Sequence, residues 1–356
     1  MRDLFNADRY RATAAALRAL DRRFDAKRFL QLALEGLEDR ELMDRMRQTA
    51  LAFDAAHPGD YRAKLKLLAA HAPQIGHGFV AIWICEFVAR FGLDDPSASL
   101  PALRKFTRYG SAEFAVRPFI VQDQDATLAV MRQWADDENE HVRRLASEGS
   151  RPRLPWGQRL TALVRDPSPT APILERLRAD PSLYVRKSVA NHLNDIAKDH
   201  PAAVLDRVES WDRADARTAW IVRHGLRTLI KRGDSRALAL LGAGDAPRLT
   251  VDTFTVAPVR IHLGDTVTFT ATLTSTARRP QTLVVDYVVH YARASGRSSL
   301  KVFKWTTHSL ASAGSVTLTK RQTIRDFSTR RHHPGVHRVE LQINGRRLAE
   351  TQFTLV

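Results

Sequence analysis

A chain of 356 residues with a single cysteine has length for two ordinary cores and no means of building a disulfide scaffold. Its net charge of +16 points to a polyanionic partner, nucleic acid first, although acidic proteins, ribosomes and anionic membranes would satisfy the same sum. The most apolar run, Gly78–Ala89, contains Glu86 and falls well short of the roughly 20 residues that span a bilayer. The first ten residues mix charges of both signs without an apolar segment and cleavage site, so a cytoplasmic protein is expected.

From Asp8 to about Leu241 the sequence is rich in Ala, Leu and Arg, with apolar positions three and four apart. Short breaks carry Pro or Gly: His57-Pro-Gly59, Asp95-Pro96, Asp180-Pro181 and His200-Pro201. This pattern predicts an all-helical region. Cys85, inside the apolar run, reads as a small buried hydrophobe. From Arg248 the texture changes to period two with β-branched residues, which predicts strands over Thr250–Val256, Asp265–Leu273, Thr282–His290, Leu300–His308, Ser315–Ile324, Gly335–Ile343 and Glu350–Val356. Asn344-Gly345 is the expected hairpin turn between the last two. The predicted architecture is therefore multidomain α and β: a HEAT-like α-helical solenoid over residues 1–244, then an immunoglobulin-like β-sandwich over 248–356. Gly242-Ala-Gly-Asp-Ala-Pro247 has linker composition. Residues 246–356 hold 16 Lys and Arg against 6 Asp and Glu, so the sandwich carries most of the excess charge.

The solenoid expectation rests on a repeat. Val142-Arg143, Val185-Arg186 and Val222-Arg223 recur at spacings of 43 and 37 residues, each followed by Arg144, Lys187 or His224. On a helical wheel Val185, Val189, His192, Leu193 and Ile196 form the core stripe, while Lys187, Asn191 and Asp195 fall on one polar face. Arg144 and Glu148 take the same register as Lys187 and Asn191. Such a row would line a basic groove suited to a duplex backbone, and solvated helix faces are the plain alternative. Acids on that face either neutralise neighbouring cations or act on the ligand; for Asp195 the plain alternative is a surface pair with Lys198 or Lys187. The loop Ser150-Arg-Pro-Arg-Leu-Pro-Trp-Gly157 presents Trp156 from a stiff segment between Arg151 and Arg153, or else packs it over the next helix.

The segments Glu113–Phe119, His141–Trp156, Tyr184–Asp195 and Trp220–Lys231 resemble those of the HEAT-like alkylpurine DNA glycosylases, of the AlkC type that carries a C-terminal immunoglobulin-like domain. The resemblance implies a monofunctional glycosylase excising cationic methylated bases such as 3-methyladenine, 3-methylcytosine and 1-methyladenine from duplex DNA, without metal or cofactor and without a base-flipping pocket. It implies Asp195 and Glu113 as carboxylates near the scissile bond, Trp156 as an aromatic wall and Glu148 as a further acid. By the same likeness Arg144, Arg151, Lys187 and Asn191 hold the DNA backbone, and Arg117 and Arg153 are expected to bind DNA beside them. Pro118 leaves the local structure at Glu113 open. The implied protein is a monomer of the bacterial nucleoid with no membrane partner. His332-His-Pro-Gly-Val-His337 reads as a basic turn touching DNA rather than a metal site. The competing readings are a non-enzymatic DNA-structure-binding helical-repeat protein and a protein-interaction scaffold.

Overall fold

The computed structural model describes residues 2–293, 298–327 and 331–356, and they divide into two compact units. The first comprises residues 1–200 and 211–225, and the second residues 201–210 and 226–356. The change from helix to strand comes between Ala239 and Leu249, at the expected linker composition. The compact units divide earlier, because the helices Pro201–Glu209, Arg227–Arg232 and Ser235–Ala239 group with the strands.

The first unit is all helical. Its early helices start at side-chain caps: Asn6, Asp25, Asp60 and Asp95 each accept from a backbone N–H in the first turn. They close over an aromatic cluster of Phe24, Phe29, Phe53, Trp83 and Phe87. The run that contains Cys85 forms the helix Ile82–Phe91, and the thiol is buried as expected.

The repeating helices Glu140–Gly149, Leu183–Ile196 and Ala216–Gly225 pack side by side, the middle one touching both neighbours. The recurring Val-Arg dipeptides now have a physical reason. Val142, Val185 and Val222 are buried, and the arginine after each of the first two is a staple. Arg143 pairs with Asp180 of the next repeat at 2.7 Å and donates to the carbonyls of Asp137 and Glu138. Arg186 donates in the same way to the carbonyls of Asp180 and Pro181. The carboxylates of Asp137 and Asp180 in turn accept from the backbone N–H two residues on, which turns the chain into each helix.

In the second unit the strands, in chain order, are β1 (Leu249–Ala257), β2 (Arg260–Ile261), β3 (Thr266–Ser275), β4 (Gln281–Ala292), β5 (Ser298–Leu310), β6 (Ser315–Thr323), β7 (Gly335–Ile343) and β8 (Arg346–Leu355). All seven expected strands are present, and β2 is an added short one. They form a sandwich of a three-stranded sheet, β1-β3-β6, and a five-stranded sheet, β2-β8-β7-β4-β5. In β3, Val267, Phe269, Ala271 and Leu273 point inward and threonines outward, as period two requires. Strand β4 is buried on both faces, its outer residues Val284, Asp286 and Val288 as fully as its inner ones. Gln342 of the neighbouring β7 donates to the carbonyl of Lys231, and Asn344 to that of Asp245. Asn344-Gly345 forms the two-residue hairpin with φ of 48° and 76°. Gly345 packs against Gly233, where a Cβ would lie 2.9 Å from the Gly345 Cα, so a side chain at either position would clash with backbone.

Candidate active site

A cavity of about 480 Å³ opens in the first unit, walled by Glu113, Arg144, Glu148, Arg151, Trp156 and Tyr184 together with a second set of residues around His77 and Tyr109. Three successive repeats supply it. Glu113 sits in a turn ahead of the helix Arg117–Gln122, and Pro118 fits the first turn of that helix, which removes the difficulty that residue posed. Arg144 and Glu148 lie one turn apart on Glu140–Gly149, and Arg151 and Trp156 follow in the loop.

The charged groups form one chain. Arg144 pairs with Glu113 and reaches Glu148 at 3.6 Å, and Ser111 donates to Glu113 at 2.6 Å. Arg151 donates to Glu148 at 2.6 Å and to Asp195 at 2.7 and 2.8 Å. Ser188 donates to the other oxygen of Glu148 at 2.6 Å, and Lys198 to the other oxygen of Asp195 at 3.0 Å. Every carboxylate thus accepts charge-assisted bonds that fix its orientation. Arg144 also lies 4.8 Å over the Tyr184 ring, against whose edge His141 packs. Burial raises the Tyr184 phenol and lowers the His141 imidazole, so both are neutral at physiological pH.

Several expected placements are corrected by this geometry. Asp195 is not a solvent-facing acid: it is 2% exposed, because the loop after the preceding helix lays Arg151 across it. Its partner among the two lysines considered is Lys198, not Lys187. Arg117 is fully buried, donating to the carbonyls of Gln158 and Gly149, so it shapes the Trp156 loop and cannot meet a DNA backbone. Burial, helped by nearby Arg151, lowers its guanidinium to about 10. Arg144 and Arg151 are committed to carboxylates, and Arg153 is doubly bonded to Asp199 at 2.7 Å. Lys187 is exposed, and Asn191 is half-buried on the same helix.

Trp156 stands out in the opposite sense. It is 70% exposed, the most exposed large apolar side chain among the described residues, and its φ of 64° is a left-handed conformation that a bulky residue adopts only under constraint. The two prolines of its loop hold it at the cavity rim. Ser111, Ser188 and Tyr184 are parts of the site that the pattern of charges did not single out. Residues that meet only through tertiary packing leave no spacing signal. The histidine-rich turn remains apart: His332 bonds Asp326 and His337 stacks on Phe353, and no group of three candidate ligands for a metal occurs among the described residues.

The fold and the site together define a helical-repeat enzyme whose cavity gathers carboxylates, guanidiniums and an exposed indole. Residues 107–229, which contain the whole charged chain, match the family described as DNA alkylation repair enzyme. Residues 250–356 match the C-terminal Ig-like domain of the uncharacterised protein YhaZ. The chain is 41% identical over 323 residues, 90% of each sequence, to the uncharacterized protein YhaZ of Bacillus subtilis (strain 168). It is also similar to the Pseudomonas fluorescens alkylpurine DNA glycosylase AlkC bound to DNA containing an abasic site analog, with 47% identity, a TM-score of 0.97 and coverage of 100% of this chain and 99% of that one. The chain belongs to this family of DNA alkylation repair enzymes with a C-terminal Ig-like domain, and its enzymatic class is that of the DNA glycosylases. No helix among the described residues is long and apolar enough to cross a membrane.

Proposed function

We propose that the protein hydrolyses the N-glycosidic bond of cationic alkylated bases, 3-methyladenine, 3-methylcytosine and 1-methyladenine among them, in duplex DNA of the nucleoid and without drawing the base into a pocket. The observation that carries this reading is a cavity lined by Glu113, Glu148 and an exposed indole, with Asp195 joined to it through Arg151. N-alkylation makes the base a cationic leaving group that needs no general acid. What the transition state lacks is an anion for the developing oxocarbenium of the deoxyribose, and oriented carboxylates supply several kcal/mol of such stabilisation. A carboxylate can also align the attacking water. The Trp156 face against the sugar adds roughly 0.5 to 2 kcal/mol.

Arg151 gives Asp195 its place in the mechanism. The guanidinium bridges Glu148 and Asp195 in the free protein. A backbone phosphate entering the cavity competes for that guanidinium, and Asp195 is released toward the sugar as the phosphate engages. Lys187 and Asn191 hold the flanking backbone, and the basic sandwich adds affinity through counterion release. The DNA complex of the similar AlkC structure supports duplex DNA as the partner.

The test is incubation with duplex containing a single 3-methyladenine or 3-methylcytosine, followed by alkaline cleavage at abasic sites. Wild-type protein is expected to excise, and Asp195→Asn to lower the single-turnover rate by at least about 10²-fold with DNA affinity equal or tighter. Wild-type protein that binds the duplex but releases no base would leave only a DNA-structure binder.

A further inference from the structure

The cavity has a second wall that the charged chain does not use. After the helix Tyr61–Ile75, the segment Gly76-His77-Gly78 turns through two glycines with φ of 80° and 123°. A Cβ at either glycine would meet nothing within 4 Å, so space does not demand glycine there; conformation does. The turn holds His77 out as an exposed residue of the cavity wall, in company with Glu113 and Trp156.

His77 is nonetheless tightly oriented. Its Nδ1 lies 2.8 Å from the carbonyl oxygen of Arg108, its ring stacks on Tyr109 at 5.6 Å and 26°, and the Gly78 N–H donates to the Tyr109 carbonyl at 2.8 Å. A carbonyl can only accept, so Nδ1 carries the proton. In the neutral imidazole Nε2 is then a bare acceptor, and no bond to it is made among the described residues.

We propose that Nε2 of His77 accepts a hydrogen bond from the exocyclic amine of the damaged base, which makes His77 a specificity-determining residue. This inference rests on the reading of the protein as a glycosylase for cationic bases. Adenine and cytosine present an amine donor, N6 or N4, where guanine presents the O6 acceptor. Alkylation of a ring nitrogen spreads positive charge onto that amine and strengthens it as a donor. A lysine or arginine at this position would repel a cationic base, whereas a neutral acceptor meets it without repulsion. Alkylated guanine sets O6 against the Nε2 lone pair and leaves both acceptors without a donor, a mismatch that sites built for hydrogen bonding reject strongly. Reading the amine edge of a base that stays in the duplex, His77 thereby favours alkylated adenine and cytosine over alkylated guanine.

The experiment compares single-turnover excision of 3-methyladenine, 3-methylcytosine and 7-methylguanine from duplex by wild type, His77→Ala and His77→Gln, alongside melting temperature and affinity for duplex with an abasic-site analogue. His77→Ala is expected to reduce the rate ratio of the amine-bearing lesions to 7-methylguanine by at least about tenfold, as loss of a charge-assisted bond requires. Melting temperature and affinity for the base-free duplex should stay within error. His77→Gln, whose amide oxygen can accept, should restore most of the ratio. An unchanged ratio in His77→Ala, or equal losses on all three lesions, would overturn the proposal while leaving the glycosylase reading intact. Wild-type protein inactive on all three would overturn both.

Discussion

Trp156 combines features that the folding of a lone helical array does not require: a left-handed backbone, a ring 70% exposed and a loop stiffened by Pro152 and Pro155. An exposed ring contributes little to burial energy, so Trp156→Ala should change the melting temperature only slightly while lowering excision of 3-methyladenine more than tenfold. Circular dichroism melts and single-turnover rates on the same preparation decide it; a large thermal loss with proportionate loss of rate would return the ring to a packing role. How much of such residues is legible beforehand depends on what orients them. Trp156 could be placed from local sequence because prolines fix its loop. Asp195 could be assigned to a polar helix face but not to its burial, since the residue that covers it, Arg151, is 44 positions away. His77 left only the trace of its two flanking glycines.

At the scale of elements, periodicity carried the strands and the repeat. Period two in β3 follows from one buried face, and the near-continuous apolar run of β4 follows from two. The division into a three-stranded and a five-stranded sheet, and the grouping of the helices Arg227–Arg232 and Ser235–Ala239 with the strands, depend on long-range contacts that no local pattern encodes. Strand β4 also holds a liability: Asp286 is 1% exposed, one of its oxygens has no hydrogen-bond partner, and burial pushes its carboxyl up to about 6 despite Lys304 and Lys231 nearby. A folded-state value above the ordinary 3.8 of an aspartate means that ionised Asp286 opposes folding above pH 6, and that protonation relieves the cost as pH falls toward 4. Asp286→Asn should therefore stabilise the protein at pH 8 by about 2 kcal/mol. The gain should shrink through pH 6 and vanish near pH 4 in thermal unfolding of the full chain, and a gain independent of pH would reject burial of charge as the cause.

The whole molecule carries a surplus of +16 that is weighted to its C-terminal residues. Arg248, Arg278, Arg279 and Arg321 are exposed on the sandwich, and replacing all four with glutamine leaves its core untouched. The slope of log affinity against log salt for undamaged duplex should become shallower by roughly 0.9 for each arginine that meets a phosphate. An unchanged slope would remove the sandwich from the DNA contact. Deleting the sandwich outright is a poorer test, because the helices between Leu226 and Leu241 belong to the same compact unit and would lose their support.

The staples that join Arg143 to Asp180 have a consequence for how the site can fail. In a linear array, stability is a sum of intrinsic terms for each repeat and coupling terms between nearest neighbours. A largely buried ion pair across a repeat boundary puts weight on coupling, which favours opening of adjacent helix pairs together. Glu113, Glu148 and Asp195 come from three consecutive segments of that array. Thermal opening that leaves one carboxylate of the cavity unpaired is thus disfavoured relative to opening of the neighbouring segments together.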